Sequence, residues 1–365
     1  MAGYDLIVVG GGLVGGAIAW GAARAGAHVA LLDEGDVAFR AARGNFGLVW
    51  VQTKGAGLPP YAHWSRRSAE LWPQLHGALR ETTGTDVALR QPGGLIFCLS
   101  DAEFEIMAAL TRRMHNESGG IGTRMLDRAE LRAMVPAVGD EVVGASYCPA
   151  DGHANPLKLL QSLHAGLLRM GGAYLPGRSV DRIERGFVVH AGAERFTGAK
   201  LVIAAGLGSR KLAPMVGLDM PVSPLRGQIL VTERLRPFLD YATHILRQTE
   251  EGSVMLGDSQ EDVGLDTGVT MPVAQDIAAR NLRVFPRLRD ANVVRIWGAL
   301  RVMTPDGVPI YEESSTHPGA FAATCHSGVT LAGAHALDIA PAILAGGLPD
   351  RVAAFTSARF HVPAA

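Results

Sequence analysis

Tyr4-Asp5-Leu6-Ile7-Val8-Val9-Gly10-Gly11-Gly12-Leu13-Val14-Gly15 is the stretch that decides the fold. Its first six residues are largely branched and apolar, the pattern of a short strand buried in a parallel sheet. The next six read GxGxxG. The pattern predicts a helix from about Val14 to Ala25, ended at Gly26. A second strand, His28-Val29-Ala30-Leu31-Leu32, is predicted to close on Asp33-Glu34. Each part has a physical task. Gly10 allows a tight turn, Gly12 lets backbone approach a pyrophosphate, and Gly15 lets helix and strand pack closely. The helix N-terminus offers free N–H groups and a positive dipole end to phosphate oxygens. Asp33, at the end of the second strand, can accept hydrogen bonds from ribose hydroxyls. Strand, glycines, helix, strand and acid in this order predict dinucleotide binding. The motif does not by itself choose between NAD and FAD.

Around this motif lie 365 residues, enough for about two domains at roughly 150 residues each. With 48% hydrophobic and 19% charged residues, the chain is neither disordered nor collagen-like. A formal net charge of -1 argues against nucleic acid and anionic membrane as partners. Cys98, Cys148 and Cys325 form no CxxC pair, so no disulfide framework, zinc site or iron–sulfur cradle is expected. Three scattered cysteines and no recognisable targeting segment lead us to expect a cytoplasmic location. The uncharged stretch from Leu6 to Ala23 is broken by six glycines and has no Lys or Arg before it. A strand, a turn and a buried helix are therefore expected there, and no membrane span.

Several further stretches stand out. Ala41-Ala42-Arg43-Gly44-Asn45-Phe46-Gly47-Leu48 is small and glycine-rich, suited to close approach of backbone to a flat ring or phosphate. Lys200 to Ala205 reads as a buried strand ending at Gly206. Ala322 to Leu331 reads as strand and glycine loop, followed by a helix through about Ala345. Gly93–Phe97 and Gln228–Thr232 read as strands, and Asn155-Pro156 as the cap and first residue of a helix.

Together these segments resemble the D-amino-acid-oxidase-like FAD oxidoreductases, the group with glycine oxidase and monomeric sarcosine oxidase. The matching elements are GGGLVGG, ARGNFGLVW, DGHANP at Asp151–Pro156, VIAAGLGS, SPLRGQILVTE at Ser223–Glu233, ALRVMTPDGVPI and CHSGVTLAGAHA. Within the family, RGNFGLVWVQ and RQTEEGSVMLGDSQEDVG most resemble the flavoprotein β subunits of opine and D-hydroxyproline dehydrogenases. The resemblance implies an α/β fold: a Rossmann-like FAD-binding domain interleaved with an α+β substrate domain on a large mixed sheet. The expected FAD domain is 1–83, 141–216 and 297–365; the expected substrate domain is 84–140 and 217–296.

It also implies site residues. For FAD these are Gly10, Gly12, Leu13, Val14, Gly15, Asp33 and Glu34; Arg43, Gly44, Asn45, Phe46, Gly47 and Leu48; Val180, Ala204, Ala205 and Gly206; and Arg301, Ser327, Gly328, Val329 and Thr330. Arg301 matches the arginine that grips the substrate carboxylate in glycine oxidase, and a planar two-donor fork suits that task. Arg247, Ile245, Gln260 and His326 are further expected substrate contacts. Alternation would put Ile245 and Arg247 on one strand face, where Arg247 could serve a second carboxylate. Family members that attach flavin through cysteine do so just after the matched arginine. Val302, Met303 and Thr304 stand there, so non-covalent FAD is expected.

The expected activity is oxidation of the C–N bond of a secondary amino acid, an opine or a D-hydroxyproline-like imino acid, by hydride transfer to flavin N5. Electrons would pass to partner subunits carrying flavin or iron–sulfur centres. Two alternatives stay open: a self-sufficient oxidase releasing hydrogen peroxide, and a non-catalytic electron-transfer subunit. The sarcosine-oxidase branch carries an oxygen-activating lysine in a strand matching Ser253–Gly257, where this chain has none, which favours a dehydrogenase. Tyr61, His63 and Trp64 could line the entrance but read more simply as one face of an amphipathic helix, and Lys54 could sit near the ring but reads by default as a solvated lysine in a glycine turn.

Overall fold

The computed structural model describes residues 3–35 and 41–361. The opening strand spans Tyr4–Val9 and pairs in parallel on both sides, with Val29–Leu32 and with the end of Glu194–Ile203. A central parallel strand is covered on both faces, which is why its sequence is a continuous apolar run. Leu6 and Val8 pack with Ile18, Ala22 and Phe321 on one face. Ile7 and Val9 pack with Phe187, Leu201 and Ile203 on the other. The main path of the sheet runs Ile310–Glu313, Ala320–Thr324, Glu194–Ile203, Tyr4–Val9, Val29–Leu32, Ala173–Leu175, parallel except at its first strand, and Val188–Ala191 and Arg182–Glu184 extend it antiparallel from Glu194–Ile203.

The fingerprint helix spans Leu13–Arg24, within a residue of the predicted bounds. It packs against the helix Pro156–Arg169 and the C-terminal helical run that begins at Ala332. Asn155 caps the former, its side chain accepting the N–H groups of Leu157 and Lys158 at 3.1 Å each.

The second lobe holds two four-stranded sheets. One runs Ala242–Thr243, Gly94–Cys98, Gly144–Cys148, Arg124–Asp127; the other runs Leu246–Gln248, Ser253–Leu256, Ser223–Arg234, Val293–Met303. They meet at a tight link in which the Thr243 hydroxyl donates to the Leu246 carbonyl at 2.7 Å and accepts its N–H at 2.8 Å. Gly144–Cys148 is hydrogen-bonded between Gly94–Cys98 and Arg124–Asp127. The boundary at 297 falls inside a strand: Val293–Met303 stays paired with Ser223–Arg234 to its end, with Arg301 opposite Leu225. A strand running unbroken from one lobe toward the other places its last residues at the junction. Among the described residues, no helix is long and apolar enough to cross a membrane.

Candidate functional site

Three segments distant in sequence are sewn together beside the fingerprint. The Thr330 hydroxyl donates to the Leu48 carbonyl and accepts the Trp50 N–H, both at 3.1 Å. From the helix Pro59–Thr83, Ser68 Oγ donates to the Thr330 carbonyl at 2.7 Å and Trp72 Nε1 to the Val329 carbonyl at 3.0 Å. Gly328 packs so close to the fingerprint helix that a Cβ there would stand 3.3 Å from Leu13 Cβ. Gly44 meets the junction strand, where a Cβ would stand 2.2 Å from that of Ala299. Asn45 shapes the same loop, its Oδ1 accepting the Gly47 N–H at 2.7 Å. Ala204 donates to the Val9 carbonyl at 2.8 Å, carrying Ala205 and Gly206 past the end of the central strand.

The residues present fit FAD. The fingerprint helix starts at Gly12 with no side-chain cap and no acid in its first turn, so its first N–H groups and dipole remain available to a pyrophosphate. A Cβ on Gly12 would meet nothing nearer than Ala42 Cβ at 3.8 Å, an ordinary van der Waals contact without a clash. Asp33 accepts the Gly11 N–H at 2.7 Å and the Gly35 N–H at 2.9 Å, and its oxygens keep lone pairs for ribose hydroxyls. Glu34 and Arg43 lie at the surface, and Val180 is buried among the residues that pack on Leu32 and Ile203.

Between the lobes is a cavity of about 240 Å³, whose walls include Phe46, Leu48, Lys54, Asp258, Arg301 and His326. Arg301 Nη1 donates to the Ser259 carbonyl at 2.7 Å and to the Arg226 carbonyl at 3.4 Å, while Nη2 pairs with Asp258 Oδ2 at 3.0 Å. The guanidinium lies over Gly227, where a Cβ would come within 2.7 Å of Nη1 and Nη2. Burial pulls the Arg301 pKa down, and burial pushes that of Asp258 up against the pull of Arg301.

Lys54 turns inward instead of into solvent. Its Nζ donates to Ser327 Oγ at 2.9 Å and stands 2.9 Å from His326 Nε2. Burial lowers the Lys54 pKa to about 8, with Arg301 adding to the effect. The positive charge of Lys54, then burial and Arg301, lower that of His326 to about 3, so the imidazole is neutral. His244 also lines the cavity, with a ring nitrogen that has no partner. Sequence reasoning left His244 and Asp258 unnamed. A signal for Lys54 was present: it is one of only four lysines, set in an otherwise uncharged stretch.

Other expected contacts lie elsewhere. Arg247 is only 2% exposed and points inward, but its Nε donates to the Phe46 carbonyl at 2.8 Å and its Nη2 lies 3.0 Å from Met255 Sδ. It braces the glycine-rich loop from behind. Ile245 is in the second lobe's core with Leu95 and Phe285, and Gln260 is exposed. Tyr61 and Trp64 are buried but His63 is exposed, so the three do not share one face: His63 lies on the solvent side of the helix Pro59–Thr83.

The buried histidines predict acid sensitivity. Burial holds His153 and His335 to about 3 and His244 to about 4, alongside His326. The unfolded chain takes up these protons from about pH 6.5 downward, while the folded chain does not. Stability is therefore full above 6.5 and falls as pH drops toward 3–4, by about 1.4 kcal/mol per pH unit for each fully buried ring. Asp151 works the other way, its carboxyl pushed up to about 7 by burial, but it is one group against four. Urea midpoints at pH 7, 6 and 5 should decline, most steeply below 6.5. A flat profile would contradict the assignment.

A family model described as DAO, FAD dependent oxidoreductase, matches residues 5–341. The chain belongs to this family: it is an FAD-dependent oxidoreductase, and FAD is its cofactor. It is 44% identical over 362 residues to a subunit of the opine oxidase of Agrobacterium tumefaciens (strain Ach5), covering 98% of each chain. It is likewise 44% identical over 361 residues to the same-named opine oxidase subunit of Rhizobium meliloti, covering 98% of this chain and 97% of the relative. Among solved structures, glycine oxidase from Geobacillus kaustophilus shares the fold, with a TM-score of 0.89 over 98% of both chains at 23% identity.

Proposed function

We propose that this enzyme oxidises the C–N bond of a secondary amino acid, an opine or a D-hydroxyproline- or D-proline-like imino acid, as the catalytic subunit of a multi-subunit dehydrogenase. The observation that carries the reading is Arg301. Its guanidinium is anchored through Nη1 on two carbonyls and faces a cavity between the flavin-side loops and the second lobe. Such a fork holds a carboxylate in one orientation and so fixes the neighbouring amine-bearing carbon. The likeness to two proteins named as opine oxidase subunits supports the substrate class and the presence of partner subunits.

In this reading bound FAD supplies the hydride acceptor. The helix start at Gly12, Leu13 and Val14 would hold its pyrophosphate on the turn that Gly10 and Gly15 shape, and Asp33 its ribose. The Asn45–Leu48 and Ser327–Thr330 loops would hold its ring. The three cysteines are unpaired, which supports a reducing, cytoplasmic location. A self-sufficient oxidase is the second reading, and one observation favours it: the strand Ser253–Leu256 carries no lysine, but Lys54 brings one to the cavity.

Anaerobic mixing of the flavoprotein with octopine, nopaline, D-hydroxyproline, D-proline, sarcosine and glycine tests both. The flavin band near about 450 nm is followed and air is then admitted. Bleaching by an opine or imino acid that persists in air, without peroxide, is expected. Rapid recovery with peroxide would make the enzyme an oxidase. No bleaching by any amine would remove the reading.

A further inference from the structure

We propose that Lys54 is the base that takes the proton from the substrate's ammonium group before oxidation, an inference that rests on the amine-oxidising reading above. A cationic amine has no lone pair to support loss of hydride from its neighbouring carbon, so the site needs somewhere to put that proton. The step balances as a proton transfer. The secondary ammonium and a neutral Lys54 Nζ become a secondary amine and a Lys54 ammonium, and no electrons move. The proton then leaves to solvent during turnover.

The geometry assigns the role. Lys54 and Arg301 line one cavity, so a substrate whose carboxylate is held on Arg301 shares that space with Nζ. Nζ is fixed by Ser327 Oγ and His326 Nε2, each at 2.9 Å. Its turn is held from across the lobes. Asp151 Oδ1 accepts the backbone N–H of Val51 at 2.5 Å and of Gln52 at 3.2 Å, and Asp151 Oδ2 accepts Gln52 Nε2 at 2.6 Å. The Gln52 amide also donates to the Gly94 carbonyl at 3.1 Å and accepts the Ser146 hydroxyl at 2.7 Å. Thr53, next to Lys54, has φ +67°, a left-handed conformation that costs a β-branched residue energy and persists where surrounding contacts impose it. Asp151 and Gln52 are thus positioning residues for Lys54.

The groups around Nζ suit a base. From the last-helix loop come His326, held neutral, and the Cys325 thiol, pushed up to about 12 by burial. From the helix Pro59–Thr83 comes the Tyr61 phenol, pushed up by burial and 3.3 Å from Ser327 Oγ. From the junction strand comes Arg301, and behind the turn lies Asp151. At neutral pH neither Cys325 nor Tyr61 is charged, and Arg301 is the cation that depresses Lys54. A substrate carboxylate neutralises Arg301, so binding itself raises the basicity of Nζ. His244 and His326 lie too far below an alkylammonium, whose pKa is about 10, to accept its proton well. Asp258 is engaged by Arg301.

The test uses the holoenzyme. The chain has four lysines, Lys54, Lys158, Lys200 and Lys211, so ¹³Cε-lysine labelling gives a readable NMR titration in the intact wild type. One resonance, absent in Lys54→Met, is expected to titrate near 8 and to move upward when pyrrole-2-carboxylate, a non-oxidisable carboxylate, is bound. A Lys54 resonance titrating at the ordinary lysine value would overturn the proposal. Anaerobic flavin reduction by the best amine should rise with pH through about 8 in wild type. In Lys54→Met it should fall about 10²–10³-fold at pH 7.5, with the rising limb shifted toward the amine's own ionisation. Lys54→Arg keeps the charge and cannot act as a base, so it should match Lys54→Met. Rescue by arginine, or an unmoved limb in Lys54→Met at full flavin content, sinks the proposal alone. Failure of every amine to bleach the wild type sinks the functional reading, and this inference with it.

Discussion

Replacing Arg301 with methionine is expected to lower kcat/KM for the carboxylate-bearing substrate by about 10²–10³-fold, which corresponds to about 3–4 kcal/mol of lost binding in the transition state. The magnitude follows from what remains of the fork. Nη1 is committed to the carbonyls of Ser259 and Arg226, so the Nε/Nη2 edge is left for a carboxylate, in competition with Asp258. Lysine restores the charge without the paired donors, so Arg301→Lys should recover only part of the loss. Gly227→Ala offers a check that keeps the arginine. Its added methyl would press on Nη1, Nη2 and Cζ, all within 2.8 Å, and should reproduce much of the defect. Flavin content should stay near wild type in all three variants, so the loss should appear in the amine-concentration dependence of anaerobic reduction. Unchanged kinetics in Arg301→Met would mean that the carboxylate is held elsewhere.

The second large effect separates two glycines of one motif. Gly15→Ala is expected to abolish folding, because a Cβ there would stand 1.9 Å from the Gly10 carbonyl oxygen. Gly10 cannot yield: its own φ is +109°, and a Cβ on it would sit 2.3 Å from the Ala204 carbonyl. The clash is backbone against backbone, beyond the roughly 1–3 kcal/mol that flexible cores absorb, in a protein whose total stability is on the order of 5–15 kcal/mol. Gly12→Ala meets only Ala42 Cβ, at an ordinary contact distance of 3.8 Å, so the apoprotein should fold with normal circular dichroism. The methyl would occupy the room kept for a pyrophosphate, and FAD should be lost on gel filtration. A Gly12→Ala protein that stays fully yellow would overturn this division of labour.

The same division explains what could be read from the chain. The fingerprint helix was predicted within a residue because its signals are consecutive: an apolar strand, glycines that no other residue can replace, and a closing Gly26 at φ +92°. The Asn155-Pro156 cap was legible for the same reason. The second lobe was less so. Alternation placed Ile245 and Arg247 on one strand face, but the strand begins at Leu246, after a link closed by the Thr243 hydroxyl. Period-two reasoning does not cross a turn, so Ile245 went to the core while Arg247 braces the Phe46 carbonyl. The strand Gly144–Cys148 was hidden similarly, because it owes its place to partners about 20 and 50 residues away, which parity and propensity do not encode.

By itself the sequence determined the dinucleotide fingerprint, the family resemblance and the arginine suited to a carboxylate, since each is carried by residue types at short, rigid spacings. Only the tertiary structure decided which charged groups share the cavity. Lys54 lies in a glycine turn that, read locally, belongs in solvent. It faces inward because Asp151, about 100 residues away, accepts the turn's N–H groups, and because Ser327, more than 270 residues away, accepts from its Nζ. Burial and the field of Arg301 then set its protonation. Those are properties of neighbours in space, and a chain that folds from two interleaved lobes draws such neighbours from its whole length.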